Sequence, residues 1–203
     1  VYGVDCSPDG EYLVSASWDY TLRIWNLQTQ LSTHTLRGHE ANIMAVQYAP
    51  NGNTILSASY DRTIRKWDSI SGAMLDVFRG HTNSVNDISY IPHSDTAISA
   101  STDRTLRIWS LASGKELRKL TGHTSFVTSV DVTTDGRHAV SGDGKGHVII
   151  WDLLLFAAKY TLRAHDGPVW TVAFSPDQRT LVTGGTDTII RQWNFKTGKQ
   201  INR

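Results

Sequence analysis

One cysteine, five prolines and two methionines are all that 203 residues contain of these types. Cys6 alone excludes an intrachain disulfide and any cysteine cluster able to hold zinc. A lone thiol fits a reducing compartment, so an intracellular location, cytoplasmic or nuclear, is expected. The eight histidines show no metal-ligand clustering, because the recurring ones stand far apart in the chain; no metal and no cofactor is expected. Neither sign of charge is in excess: 20 Lys and Arg against 19 Asp and Glu leave a net charge of +1. That balance favours neither nucleic acid nor an anionic membrane surface as a partner. No apolar run is long enough to span a membrane, and no signal peptide leads the chain. Sustained 3.6-residue periodicity is missing, which argues against helices. An initiator methionine is missing too: the chain opens on Val1 and reads as a piece of something larger. Its length still suffices for one domain with a real core.

What the chain does have is repetition. Trp25, Trp67, Trp109, Trp151 and Trp193 are each 42 residues apart. His39, His81, His123 and His165 recur at that period, preceded by Gly38, Gly80, Gly122 and Ala164. Pro8, Pro50, Pro92 and Pro176 follow it as well, with Thr134 in the fourth unit. A spacing of 42 without insertion lies in the range of four-stranded propeller blades. Within the second unit, "IMAVQYAP", "TILSAS", "TIRKWD" and "AMLDVF" read as four strands, separated by "NGN", "YDR" and "SISG" turns. Period-2 alternation, β-branched content and Gly/Asn/Asp/Pro punctuation favour strands over helix. Pro50 sits at a strand-to-turn junction, where its missing N–H costs nothing.

From Gly-His to the Trp-Asp position, the units resemble WD40 repeats along essentially the whole chain. The closing dipeptide holds at Trp67-Asp68 and Trp151-Asp152 and departs at Trp25-Asn26, Trp109-Ser110 and Trp193-Asn194. The resemblance implies an all-β propeller of four-stranded antiparallel blades, at about 1–42, 43–84, 85–126, 127–168 and 169–203. Rings of this family most often have seven or more blades, so further blades beyond these five are implied. It also implies a hydrogen-bonded tetrad in each blade, here His39, Ser57, Asp61 and Trp67, with Ser59 an alternative to Ser57. The matching sets are His81, Ser99, Asp103 and Trp109, then His165, Thr183, Asp187 and Trp193. The first unit keeps Ser15, Asp19 and Trp25 without a histidine.

A Ser–His–Asp set invites a catalytic reading, but a nucleophilic site occurs once per domain and in a cleft. A constellation repeated at fixed spacing behaves as a structural staple. "GDGKG" in the fourth unit resembles a phosphate loop only superficially: the upstream glycine is missing, and Gly146 follows Lys145 where Ser or Thr is required. Arg23, Arg65, Arg107 and Arg191 also repeat and read as solvated edge residues, with no excess of cations to make a nucleic-acid stripe.

The fourth unit departs from its siblings. Asp stands six residues before Trp in the other four; here the position is Lys145, which cannot accept a hydrogen bond. The tetrad of His123, Ser141 and Trp151 is therefore expected to be broken, or closed by Asp143 through a turn altered at Gly142, Gly144 and Gly146. The turn after Trp151 is unusual as well. Siblings have "QTQ", "ISG", "ASG" and "KTG"; the fourth unit has Leu154, Leu155 and Phe156 after Leu153. Apolar residues at a rim turn need cover, either from an N- or C-terminal extension folding over them or from a docking partner subunit; the second reading makes these three candidate partner-binding residues. On the opposite face the family alignment exposes Tyr2, Trp18, Asn42, Met44, Tyr60, Ser84, Asn86, Thr102, Phe126, Thr128, Trp170 and Thr186. Of these, Tyr2, Trp18, Met44, Tyr60, Phe126 and Trp170 are the candidate contacts, since large apolar side chains on a rim mark interaction surfaces. The alternative is that each ring folds against its own neighbouring loop. The whole reads as a non-catalytic scaffold that binds a partner protein or peptide on its faces within a multiprotein assembly. The alternative function is a propeller fused to, or seated in, an enzyme or redox assembly, positioning a catalytic partner.

Overall fold

The computed structural model describes residues 1–202. Twenty strands form five four-stranded antiparallel sheets, each in chain order from inner to outer strand. The first sheet holds β1 (Gly3–Cys6), β2 (Tyr12–Ala16), β3 (Thr21–Asn26) and β4 (Leu31–Arg37). The second holds β5 (Ile43–Tyr48), β6 (Thr54–Ser59), β7 (Thr63–Asp68) and β8 (Met74–Arg79). The third holds β9 (Val85–Ile91), β10 (Thr96–Ser101), β11 (Thr105–Ser110) and β12 (Glu116–Thr121). The fourth holds β13 (Val127–Val132), β14 (His138–Asp143), β15 (His147–Asp152) and β16 (Ala157–Arg163). The fifth holds β17 (Val169–Phe174), β18 (Thr180–Gly185), β19 (Ile190–Asn194) and β20 (Gln200–Asn202). Neighbouring inner strands pack side by side, β1 on β5, β5 on β9, β9 on β13 and β13 on β17. The fold is a run of propeller blades.

Burial explains why the period is so strict. The second, third and fourth sheets each have a neighbour on both sides, so both faces of their middle strands must be apolar or satisfied. The core falls into four clusters, one per blade interface. Trp67 packs with Val14, Leu22, Ile24 and Leu36 of the preceding blade, and Trp109 with Leu56, Ile64 and Phe78. Trp151 seals the third interface and Trp193 the fourth. A register shift recurs beside the Trp of every blade, a bulge that sharpens the twist where the ring must enter the interface. The two end faces of the arc are uncovered. Ile190 is 71 % exposed, whereas Leu106 and Val148 at the same blade position are fully buried. Val182 on the fifth blade and Val4 and Leu27 on the first are exposed in the same way.

The tight turn of each blade lies between its second and third strands. The residue after the tetrad carboxylate takes a positive φ: Tyr20 at 68°, Arg62 and Arg104 at 70°, Thr188 at 63°. In the fourth blade that place belongs to Gly146 at 86°. A Cβ there would run into the His165 carbonyl oxygen, so glycine serves both the backbone angle and the close approach.

Candidate functional site

The loop entering each blade from the second to the fifth delivers a histidine to the turn between its second and third strands. In the second blade His39 Nδ1 lies 2.7 Å from Asp61 Oδ2 and its Nε2 2.7 Å from Ser57 Oγ. Trp67 Nε1 donates to the same hydroxyl at 2.9 Å. Ser59 does not join this chain: it accepts from the Asp61 N–H and donates to the Ala41 carbonyl. The third blade repeats the chain through His81, Asp103, Ser99 and Trp109. In the fifth, His165 lies 2.8 Å from both Asp187 and Thr183, and Trp193 donates to Thr183 at 3.0 Å. The first blade has only the Trp25-to-Ser15 bond, and Asp19 accepts from the Thr21 N–H and hydroxyl.

The fourth blade is not broken. Asp143 Oδ2 sits 3.0 Å from His123 Nδ1, and Ser141 bridges His123 and Trp151 at 2.6 and 2.9 Å. The other oxygen of Asp143 accepts from the Lys145 and His147 N–H groups at 2.9 and 3.0 Å. The carboxylate has moved two residues along the chain and returned to the same place in space, while the Lys145 side chain points into solvent.

The direction of the protons follows from the donors. In the second, third and fourth blades the Trp N–H occupies a lone pair of the serine, the serine hydroxyl donates to Nε2, and Nδ1–H donates to the carboxylate. This arrangement requires a neutral imidazole. Burial lowers the His39 and His81 pKa values, opposed by the neighbouring Asp61 and Asp103 carboxylates. For Asp61 and Asp103 burial pushes upward, but hydrogen bonds from the histidine and from Thr63 or Thr105 outweigh it and hold each well below the ordinary range. Asp143 is lowered for the same reasons, with the His147 and Lys145 amides as donors.

The repeating arginines are not all at a solvated edge. Arg65 and Arg107 are buried. Arg107 pairs with Glu116 and lies 3.7 Å from Asp103, and the Arg65 guanidinium contacts Met74 Sδ at 3.1 Å. Arg191 is half-buried on Asp187 at 2.6 Å, and only Arg23 is exposed, over Trp25. In the third and fifth blades, then, the third-strand guanidinium leans inward beside the tetrad carboxylate, whereas Arg65 leans inward onto Met74.

A second set of side chains, not anticipated above, ties blades together. Asp5 accepts the Tyr48 N–H at 2.7 Å, Gln47 the Tyr90 N–H at 2.7 Å, Asp87 the Val130 N–H at 2.9 Å and Asp131 the Phe174 N–H at 2.7 Å. Inner strands of neighbouring sheets share no ladder, so these amides need side-chain acceptors. The signal was a polar residue recurring in an otherwise apolar first strand; it was masked because Ser89 holds the third-blade position and Asp87 does its work. Burial pushes Asp87 up to about 6 and raises Asp5 and Asp131 as well.

The inner strands of the arc line an open channel of about 700 Å³. Tyr2, Met44, Tyr60, Phe126 and Trp170 line it, with Asp87 the one charged side chain in its wall. Trp18 lies outside the channel, stacked on Tyr2 at 4.9 Å with the planes 16° apart. The Asn42 amide, in the orientation that satisfies it, accepts from the Trp18 indole at 3.2 Å. Trp18 and Trp170 remain 54 % and 58 % exposed, and Tyr2 and Tyr60 are exposed too. Phe126 is different: its ring covers Gly144 of the fourth-blade turn, leaving no room for a Cβ there. In the first two blades the ring is on the turn; in the fourth it is on the loop and the turn is bare. Asn86 and Thr128 bond across to the Val127 and Val169 carbonyls of the following blades and are spoken for. Leu154, Leu155 and Phe156 form the β15–β16 turn at the opposite end of the blade and are exposed, while Leu153 beneath them is buried.

No curated protein matches the chain. The model of the IFT122 first beta-propeller does, over residues 1–203, and the chain belongs to that family of WD40-type propellers.

Proposed function

We propose that this protein is a non-catalytic propeller scaffold, held in a multiprotein assembly, which takes a partner protein or peptide across the mouth of the channel. Exposed rings held in place at that mouth carry the reading. Tyr2 and Trp18 brace each other, Asn42 holds the indole, and Tyr60 and Trp170 stand around the same opening. Rings ordered before binding lose little freedom on contact, which is why Trp and Tyr dominate binding energy at interfaces. The tetrads supply rigidity rather than chemistry: their hydroxyls lie buried between sheets, where no substrate reaches. Within the same reading, the uncovered faces of the first and fifth blades receive further blades of a larger ring.

The test is substitution at the mouth. Trp18→Ala and Trp170→Ala should leave the thermal melt near that of the parent chain, because neither ring sits in a core cluster. Recovery of the native assembly on the tagged chain should fall, with about 2 kcal/mol lost for a central ring. Undiminished recovery by both variants would remove this face from consideration.

A further inference from the structure

The β15–β16 turn carries features that the propeller does not need. Three of its siblings pass through the left-handed region on Gly72, Gly114 and Gly198, at φ of 71°, 70° and 66°, and the first blade does so on Gln30 at 59°. The fourth blade does so on Phe156 at 53°, where a bulky side chain is strained. Asp152 fixes the turn by accepting the Leu154 and Leu155 N–H groups, at 2.9 Å each. The Leu153 N–H is tied to the Arg137 carbonyl at 2.9 Å. The result is a rigid ridge on which Leu154 and Leu155 are 71 % and 74 % exposed.

Beside the ridge runs a groove of about 320 Å³ between the third and fourth blades. Leu117, Ile108, Leu153 and Phe156 line it, and the Arg118 guanidinium lies over the Phe156 ring at 4.9 Å. The charges around it are unequally matched. Among the described residues, the arginines in ion pairs are Arg107, Arg163, Arg179 and Arg191. Arg118 and Arg137 are not among these, whereas Lys159, three residues beyond Phe156, is turned to the fifth-blade side, 3.3 Å from His138 Nε2 and over the Phe195 ring at 5.3 Å. The nearby carboxylates are occupied: Asp152 caps the turn, and Asp135 holds the Thr133 hydroxyl and the Arg137 N–H.

We propose that this ridge and groove dock an acidic amphipathic segment of a partner protein. Leucine- or phenylalanine-sized side chains fill the groove and cover Leu154 and Leu155, and carboxylates on the flanks meet Arg118 and Arg137. The apolar face sets affinity and the unmatched cations set the sign of the partner. The surface lies at the end of the blade opposite the aromatic mouth, so it stands or falls independently of that site.

The probe is a fluorescent synthetic peptide with leucine and phenylalanine at helical spacing and glutamate between them, compared with a twin in which lysine replaces every glutamate. Anisotropy titration of the full chain should show the acidic peptide bound at least about tenfold tighter than its twin. Replacing Leu154-Leu155-Phe156 with Ala-Ser-Gly, the turn of the third blade, should weaken the acidic peptide by about tenfold or more. Arg118→Glu with Arg137→Glu should abolish the preference for the acidic peptide and keeps the test open should the turn replacement fail to fold. Trp170→Ala should leave peptide affinity unchanged, which separates this site from the channel mouth. Equal affinity for the two peptides, or full binding by a folded Ala-Ser-Gly chain, overturns the proposal. So does a concentration-dependent dimer in sedimentation velocity that the Ala-Ser-Gly chain loses, since the occupant is then a second copy.

Discussion

In the second blade the carboxylate that receives the histidine proton stands six residues before Trp67; in the fourth it stands eight residues before Trp151. Both reach an imidazole Nδ1, at 2.7 and 3.0 Å, and both collect two turn or loop amides. The environments differ. The Asp61 side chain keeps 8 % of its surface in solvent; that of Asp143 keeps none. Thr63 adds a hydroxyl donor to Asp61 at 2.6 Å, whereas His147 offers Asp143 only an imidazole at 3.5 Å. The comparison teaches that the blade selects a charge at a place in space, not at a place in the sequence. The fourth turn obtains that place by bare backbone, and the bareness in turn admits the Phe126 ring.

The sharpest way to break the comparison is at Gly146. Gly146→Ala puts a Cβ against the His165 carbonyl and holds an L-residue at a φ of 86°. A loss of about 3–5 kcal/mol is expected, in the class of strained and overpacked positions. Arg62→Ala, at the matching residue of the second blade, should change stability by less than about 1 kcal/mol, since that turn already accommodates a side chain. Chemical denaturation of the two variants measures both; a mild Gly146→Ala would mean that the fourth turn can relax.

Removing the carboxylates themselves comes next. Asp143→Ala leaves His123 and two amides without an acceptor where water does not reach, and should cost about 3 kcal/mol. Asp61→Ala exposes its orphaned groups to some solvent and should cost about 2 kcal/mol. A thermal melt of Asp61→Ala indistinguishable from the parent would refute the staple, and the reverse order of the two losses would refute the argument from burial.

How far such positions were readable in advance differs by element. The strands were legible because blades pack face to face at four interfaces, so turns and apolar residues had to recur in step. The arginines misled for the same reason: an alternating pattern marks Arg65 and Arg107 as outward, yet in a sandwiched sheet outward means the next blade. Asp143 could be named as a substitute from its distance along the chain, but only the folded turn shows that it arrives. The straps from Asp5, Gln47, Asp87 and Asp131 cross between blades, and no spacing within one repeat reveals them.

Acid should separate the staples from the straps. His39 and His81 have lowered pKa values in the fold, so the unfolded chain binds protons more readily; their contribution is complete above about 6.5 and drains away as pH falls below it. Asp61, Asp103 and Asp143 are also lowered, so their contribution is lost as pH falls below about 3.8. Asp87 runs the other way: raised to about 6, it is protonated first in the fold, and stability is gained between about 6 and 3.8. Urea midpoints across this range should fall with acid in the parent chain. Asp87→Asn should steepen that fall by removing one opposing group, with Asp5 and Asp131, raised in the same direction, remaining; an unchanged pH slope would show that Asp87 does not titrate there.

The smallest effect is expected at Lys145, the residue whose charge first sets the fourth blade apart. Its side chain is exposed and only its N–H serves the turn, donating to Asp143. Lys145→Asp therefore adds a carboxylate where the siblings have theirs, but the imidazole is already occupied. The two carboxylates would compete for one histidine, and the second would stay in water, so the change should lie within about 0.5 kcal/mol of neutral. In an Asp143→Ala background the outcome should differ. There His123 and the turn amides are orphaned, and an aspartate at position 145 can return along the route used by the second blade. Rescue should be partial, because the flanking glycines and Phe126 hold the turn in its own path. Hydrogen exchange across Ser141 to Trp151 reads the result: protection should drop in Asp143→Ala and recover in part in the double variant. No recovery would mean that the fourth turn is committed to Asp143 by its backbone, and that the two routes to the staple are not interchangeable.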